Sequence, residues 1–277
     1  MKILTYVGLF LIIFSLIWLF VIFPAMAKLP TDHYKEVYFE GTYKVMNPET
    51  QSLDEIPVKV TRVQEATDVK DNVLIINQVI TATHAVAGIE LSQFGLTEVL
   101  GVDRSTREYV PGYGDMDRSG QFCFPDGVEK KSYSIWIPSA GRPLEAEFAS
   151  EENFHDLKVF NFKINGQGLD IGIQESTGMP QVLDVVVDMK VEPVSGTTVR
   201  SESINSIKVA VGPSMEMPVY ISSLVFTNDT ITDLVDTGKS ARTQLLWATV
   251  YGFWLGIGVG IILTLVGALG FIRARSR

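Results

Sequence analysis

One cysteine and three histidines in 277 residues remove several kinds of protein at once. A lone Cys123 cannot build an internal disulfide framework, so the fold must be held by its core. Set between Phe122 and Phe124, it reads as a small buried apolar residue. His33, His84 and His155 are scattered, with no His-Glu-x-x-His or paired-cysteine spacing, which leaves zinc without a ligand set. Neither Gly-x-Ser-x-Gly nor a phosphate-binding glycine loop occurs. Acidic pairs such as Glu151-Glu152 read as solvated charges of an acidic domain. The chain therefore advertises no catalytic constellation. Positive charge is also short, at 23 Lys and Arg against 32 Asp and Glu. That balance excludes nucleic acid as a partner, since phosphates need a basic surface.

What the sequence does have is two long apolar runs at its ends. Leu245–Ile272 contains no charged residue and ends in Arg273, Arg275 and Arg277. As a helix it would reach about 42 Å, more than a bilayer core requires. The basic stop predicts a cytoplasmic end. Within the run, Ala248, Gly252, Gly256, Gly260, Thr264 and Ala268 recur every fourth residue. Such a ridge of small side chains predicts close packing against another helix, in an envelope protein or a second copy of the chain. At the other end, Lys2 precedes the uncharged Ile3–Phe23. Ala25-Met26-Ala27 resembles a signal-peptidase site, yet the run exceeds an ordinary signal core, so a retained anchor is expected over a cleaved peptide. Residues 24–244 hold all 32 acidic and 19 of the basic residues, a net charge of −13. The expected layout is an anchor over 1–23, an extracytoplasmic domain over 24–229, a juxtamembrane helix over 230–244, a span over 245–272 and a basic tail over 273–277. Both termini then lie in the cytoplasm of a cell-membrane protein.

The middle reads as sheet. Val37, Phe39, Tyr43 and Val45 alternate with polar residues, with Gly41 as a bulge candidate. Val73–Ala82 is apolar on both faces, as in a strand with neighbours on both sides, whereas Ala85–Gly101 leaves helix and strand open. Phe160, Phe162 and Ile164 precede Asn165-Gly166, a turn dipeptide. Leu183, Val185, Val187, Met189 and Val191 alternate most cleanly; Thr197–Asn205 returns, and Ile207, Val209 and Val211 form a further inward set. Short alternating strands with polar turns predict a mainly β fold, an antiparallel sandwich or open barrel flanked by terminal helices. After Phe226, Asn228 or Asp229 can cap a helix on which Ile231, Leu234 and Val235 share a face.

Two loops carry candidate chemistry. Asp115, Asp117 and Ser119, with Gly120 at position six and Asp126 at position twelve, follow the spacing of a calcium loop. Arg118 and Pro125 oppose that reading, and a solvated polar loop is the plainer one. Asn228-Asp229-Thr230 is an N-glycosylation sequon.

Val102-Asp103-Arg104 with Thr106 and Glu108, Arg118-Ser119-Gly120, Phe124-Pro125, and Glu129-Lys130-Lys131 with Tyr133 and Trp136 stand in a recognisable order. With Val191-Glu192-Pro193-Val194-Ser195-Gly196 they resemble the porin PorA-like family of archaeal and actinobacterial membrane proteins, whose activity is not established. Asp126 departs from that pattern, which has an apolar residue after Phe-Pro. The resemblance covers nearly the whole chain and implies a membrane protein. The residues themselves favour a non-enzymatic binding or scaffolding role at the cell surface. Its partner would be a lipid, an envelope protein or another copy. A homo-oligomeric channel or transport component is the alternative that the family name suggests, and an extracytoplasmic hydrolase is a more remote one.

Overall fold

The computed structural model describes residues 2–174, 177–212 and 215–275; Arg277 of the basic tail lies outside them, as does the side chain of Arg275. Two compact units emerge, Leu29–Gly238, and Met1–Lys28 with Lys239–Arg277.

Leu29–Gly238 is built on one curled antiparallel sheet, a half-barrel of ten strands among the described residues. In chain order these are β1 Tyr34–Met46, β2 Leu53–Lys70, β3 Val73–His84, β4 Leu96–Asp103, β5 Tyr133–Ile137, β6 Arg142–Phe154, β7 Leu157–Ile173, β8 Pro180–Val191, β9 Thr198–Gly212 and β10 Met215–Phe226. Their spatial order is β4-β3-β2-β1-β10-β9-β8-β7-β6-β5. Two meanders thus lie side by side and join where the first strand meets the last. Phe39 stands opposite Phe226, so the chain enters and leaves the sheet at the same end. Alternation puts Phe160, Phe162, Ile164, Leu183 and Val185 inside, where Phe124 and Tyr133 pack among them. Charge goes to the other face. There Lys44 pairs with Glu55, Lys163 with Asp188 and Lys208 with Asp184.

Residues 104–132 act as a strap between the two edge strands. Val110 N–H donates to Gly101 O, Tyr109 N–H to Gly120 O, and Gln121 N–H to Ser134 O. Single backbone bridges therefore run from β4 through Tyr109 and Gln121 to β5. Gly120 sits at φ +81°, where a Cβ would come within 2.7 Å of Ser134 O, so glycine is what lets the strap reach β5.

Three local expectations change. Asn165-Gly166 is no turn, because β7 runs through it and is shifted in register against β8 beyond Gly166. The glycine is there for space: a Cβ would lie 2.7 Å from Leu169 Cδ1 and 3.0 Å from Val185 Cγ1. Gly41 is no bulge either. It pairs regularly with Val58 and Leu224, and a side chain would run into the Ser223 carbonyl. All of Thr197–Asn205 but its first residue joins Ile207–Val211 in one strand, β9, from which inward Asn205 donates to Ser222 Oγ at 3.2 Å. Of Ala85–Gly101, the last part is β4.

Helix α3, Asn228–Leu246, begins on the sheet and buries Ile231, Leu234 and Val235 against Val37, Leu157, Val159 and Phe226. Its cap is Thr227, not Asn228 or Asp229. Thr227 Oγ1 accepts the N–H of Thr230, three residues on, as an N-cap oxygen does.

In the other unit, α1 (Lys2–Ile17) and α4 (Gly252–Arg275) pack along their small residues. Built on Gly8, a Cβ would meet Thr264 Oγ1 and lie 2.5 Å from Gly260 O; on Gly260 it would lie 2.7 Å from Ile12 Cγ1. Gly256 faces Ser15, and Ala268 stands with Thr5 and Tyr6. Gly256, Gly260 and Thr264 of the ridge thus face α1, whereas a Cβ on Gly252 would meet only the carbonyl of Trp247. Each helix is interrupted by a π turn, at Trp18–Ile22, after which α2 (Phe23–Met26) follows, and at Trp247–Tyr251. Trp18 Nε1 donates to Ala248 O at 2.9 Å, which satisfies a carbonyl inside the second π turn.

Candidate functional site in the sheet interior

Polar residues at inward positions of β2, β3 and β4 interrupt an otherwise apolar interior. Gln64 is paired with Gln78, and Gln78 with Glu98, so the three side chains stand abreast on one face. Gln64 Nε2 donates to Gln78 Oε1 at 2.6 Å, and Gln78 Nε2 donates to Glu98 Oε2 at 2.6 Å. The strap supplies the last member. Arg118 Nη2 donates to Glu98 Oε1 at 2.9 Å, and Nη1 to Asp115 Oδ1 at 2.5 Å. Glu98 is 8% exposed and Arg118 4%, so the pair is removed from water and each charge depends on the other. Burial disfavours the Arg118 cation; the hydrogen bonds it donates to Asp115 and Glu98 outweigh that and hold the guanidinium charged. Burial likewise pushes the Asp115 carboxyl up, but Arg118 and the Val99 N–H together bring it below the ordinary carboxylate range. The guanidinium also lies 6.0 Å from the Trp136 ring, which Tyr109 meets edge-on.

Beside this ladder stand two more cations. Lys35 on β1 opposes Gln64, and Arg62 on β2 opposes Val37. Burial, then the charge of Arg62, holds the Lys35 ammonium below its ordinary value. Tyr109 is the neighbouring phenol, raised by burial in spite of Arg118. Cys123 is half-buried here rather than in the core, and burial raises its thiol.

The residues spaced like a calcium loop do not come together. Asp115 is taken by Arg118, Asp117 Oδ1 accepts the Gly112 N–H at 2.9 Å, and Asp126 pairs with Arg107 at 2.9 Å. Among the described residues no group of three His, Cys, Asp or Glu side chains is placed to hold a metal. Ser119 lies in the strap between them. At the sequon, Asn228 is exposed, whereas the Thr230 hydroxyl is buried and accepts the Tyr38 N–H at 3.0 Å. Gln64, Gln78 and Glu98 were missed by the sequence reading. Gln64 carried a signal, being polar and in phase with Val58 and Val60, whereas Gln78 lay in a strand apolar on both faces and Glu98 in a stretch open between helix and strand.

Distant motifs meet across the strap. Val128 N–H donates to Pro193 O at 2.6 Å and Gly127 N–H to Val194 O at 2.9 Å, joining the segment after Phe124-Pro125 to the turn after β8. Glu192, fully buried, folds that turn by accepting the Ser195 N–H at 2.7 Å. The family model described as Porin PorA matches residues 2–269. The chain belongs to the Porin PorA family. No curated protein matches it. The PorA match takes in the first apolar helix, the whole sheet and most of the second apolar helix, and so supports a membrane-associated protein, with a channel-like role among the readings that the name allows. The residues that carried the resemblance lie largely on the strap and its anchors. Asp103 accepts the N–H groups of Ser105 and Thr106, Arg104 Nε donates to Leu29 O at 2.7 Å, and Arg118 enters the ladder. Asp126, the departure from the PorA pattern, is accommodated by its pair with Arg107.

Proposed function

We propose that this chain is a non-enzymatic, membrane-tethered binding protein. Its sheet unit is presented on the extracytoplasmic side and engages a protein partner, while the paired terminal helices hold it in the bilayer. The observation that carries this reading is the division of surfaces. Exposed large apolar side chains are concentrated on the helices, including Phe10, Phe20, Trp254, Leu255, Ile262 and Leu265, whereas the outer sheet face bears cross-strand ion pairs. A sheet of that kind works in water and cannot be the lipid-facing wall of a barrel. Its interior is packed with rings, from Phe124 and Tyr133 to Phe148, Phe160 and Phe162, which favours a surface over a lipid tunnel as the means of binding. Native mass spectrometry of the full chain extracted in detergent tests the reading. A co-purifying polypeptide is the expected result; a bare chain under every mild extraction condition would overturn it.

The family description favours a second reading, a channel assembled from several copies. Ile3–Phe23 and Leu245–Ile272 offer no Asp, Glu, Lys, Arg or His side chain to line a water path, so the conducting route would have to form between copies. Discrete conductance steps from purified protein in a planar bilayer would decide for it.

A further inference from the structure

Two positive charges on the inner face of the sheet have no ion-pair partner among the described residues. Lys35, Val37, Gln64 and Arg62 project from one face of β1 and β2, because Lys35 is directly opposite Gln64 and Val37 directly opposite Arg62. That face is the interior: Val37 is 1% exposed and Gln64 7%. Glu98 is already engaged by Gln78 and Arg118, and Asp126 by Arg107. Among the described residues Lys35 has no hydrogen-bond or ion-pair partner. Arg62 makes only a ring contact, 5.3 Å from the centre of Phe39, and its Nε is buried without an acceptor. His33, two residues before Lys35, brings a third nitrogen, Nε2, which is also buried and unpartnered. Burial and the neighbouring Lys35 charge lower its pKa, so at neutral pH the imidazole is uncharged and keeps one ring N–H to donate.

Such a group of donors is costly to leave without acceptors. An unpartnered buried polar atom forfeits its hydration, and an uncompensated buried charge forfeits far more. Water can satisfy the hydrogen bonds but cannot neutralise two cations. Lys35 and Arg62 each keep part of their surface accessible although protein crowds both, so a solvent-sized group can reach them. Three nitrogen donors, two of them charged, match an oxyanion with several acceptor lone pairs.

We propose that the inner face of β1 and β2 binds an oxyanion, a carboxylate or phosphate group, held by Lys35 and Arg62 with His33 as a neutral donor. The site stands apart from the protein-partner reading, and either can fail without the other. The same chemistry occurs in a free anion and in a lipid headgroup, and the experiment separates them. Full-length protein in neutral detergent is melted in sodium phosphate, in sodium chloride at matched ionic strength, and with dioleoyl phosphatidic acid or oleate added to the micelles. A rise in melting temperature with phosphate over chloride assigns a free anion. A rise only with the anionic lipids assigns a headgroup. In Arg62→Gln the concentration giving half the rise should increase about tenfold or more, the effect of losing one charge-assisted hydrogen bond. Lys35→Met supplies the second arm. Removing an uncompensated cation should raise the melting temperature in chloride while reducing the response to anion, a combination that general damage to the fold does not produce. No rise with any anion, or equal rises in wild type and both variants, would overturn the site.

Discussion

Arg118 has a sequence context that hides its task. Between Asp117 and Ser119 it reads as a stray positive charge in a loop otherwise spaced for calcium. In the fold it is the buried end of a ladder that begins at Gln64 on β2. Replacing it by Met leaves Glu98 buried and unpaired, which should cost about 3–5 kcal/mol of stability. The double variant Glu98→Gln/Arg118→Met should recover most of that loss, since it removes the stranded charge as well. Denaturant titration followed by tryptophan fluorescence measures both, and a double variant no better than the single one would refute this account. On the outer face the magnitudes are smaller. Asp184 is held below its ordinary 3.8, first by a hydrogen bond from Lys208 and then by the Gly168 N–H. A depressed carboxylate contributes stability that is fully present above the unfolded value and lost as pH falls through the folded one. Asp184→Asn should therefore cost about 0.5–1 kcal/mol at pH 7 and flatten the decline in stability below pH 4, because the pair is partly exposed. Parallel wild-type and variant curves between pH 7 and pH 3 would show that the pair contributes nothing.

At the scale of elements, the strands whose periodicity is two were legible and their ends were not. Asn165-Gly166 reads as a turn because that dipeptide favours positive φ, yet β8 and Leu144 crowd it and the glycine relieves the crowding. Asn205 looks like a break in β9 until Ser222 supplies a partner inside the sheet. The helices show the reverse case. A repeat of small residues announces that something packs closely, and only the structure names α1 as the occupant. A Cβ at Gly256 would stand 3.5 Å from Ser15 Cβ, within the range a disulfide spans. In a Cys123→Ser background, Ser15→Cys with Gly256→Cys should close an intramolecular disulfide under mild oxidation, read as the loss of two hydrogens in the intact mass. Disulfide-linked dimers in its place would mean that α1 of another copy fills the groove. A mature chain lacking the first helix would give neither.

For the whole molecule, the join of β1 with β10 is the decisive event. It sets first strand against last, so the segments before Tyr34 and after Phe226 leave the sheet side by side. The proposed extracytoplasmic placement of the sheet unit predicts where a protease can reach. Protease added to intact cells is expected to cut within residues 24–244 and to spare the spans. Cleavage there only after lysis would reverse the orientation and with it the proposed surface role.

By itself the sequence determined solvent preference, residue by residue. An uncharged run of some twenty residues belongs in hydrocarbon, and a strand alternating valine with aspartate must have one dry face and one wet face. Neighbours were decided by tertiary structure alone. Periodicity says which way a side chain points but not what stands opposite, so the meeting of Gln78 with Glu98, the closure of β4 to β5 by the strap, and two cations left on one inner face required the whole chain to be folded.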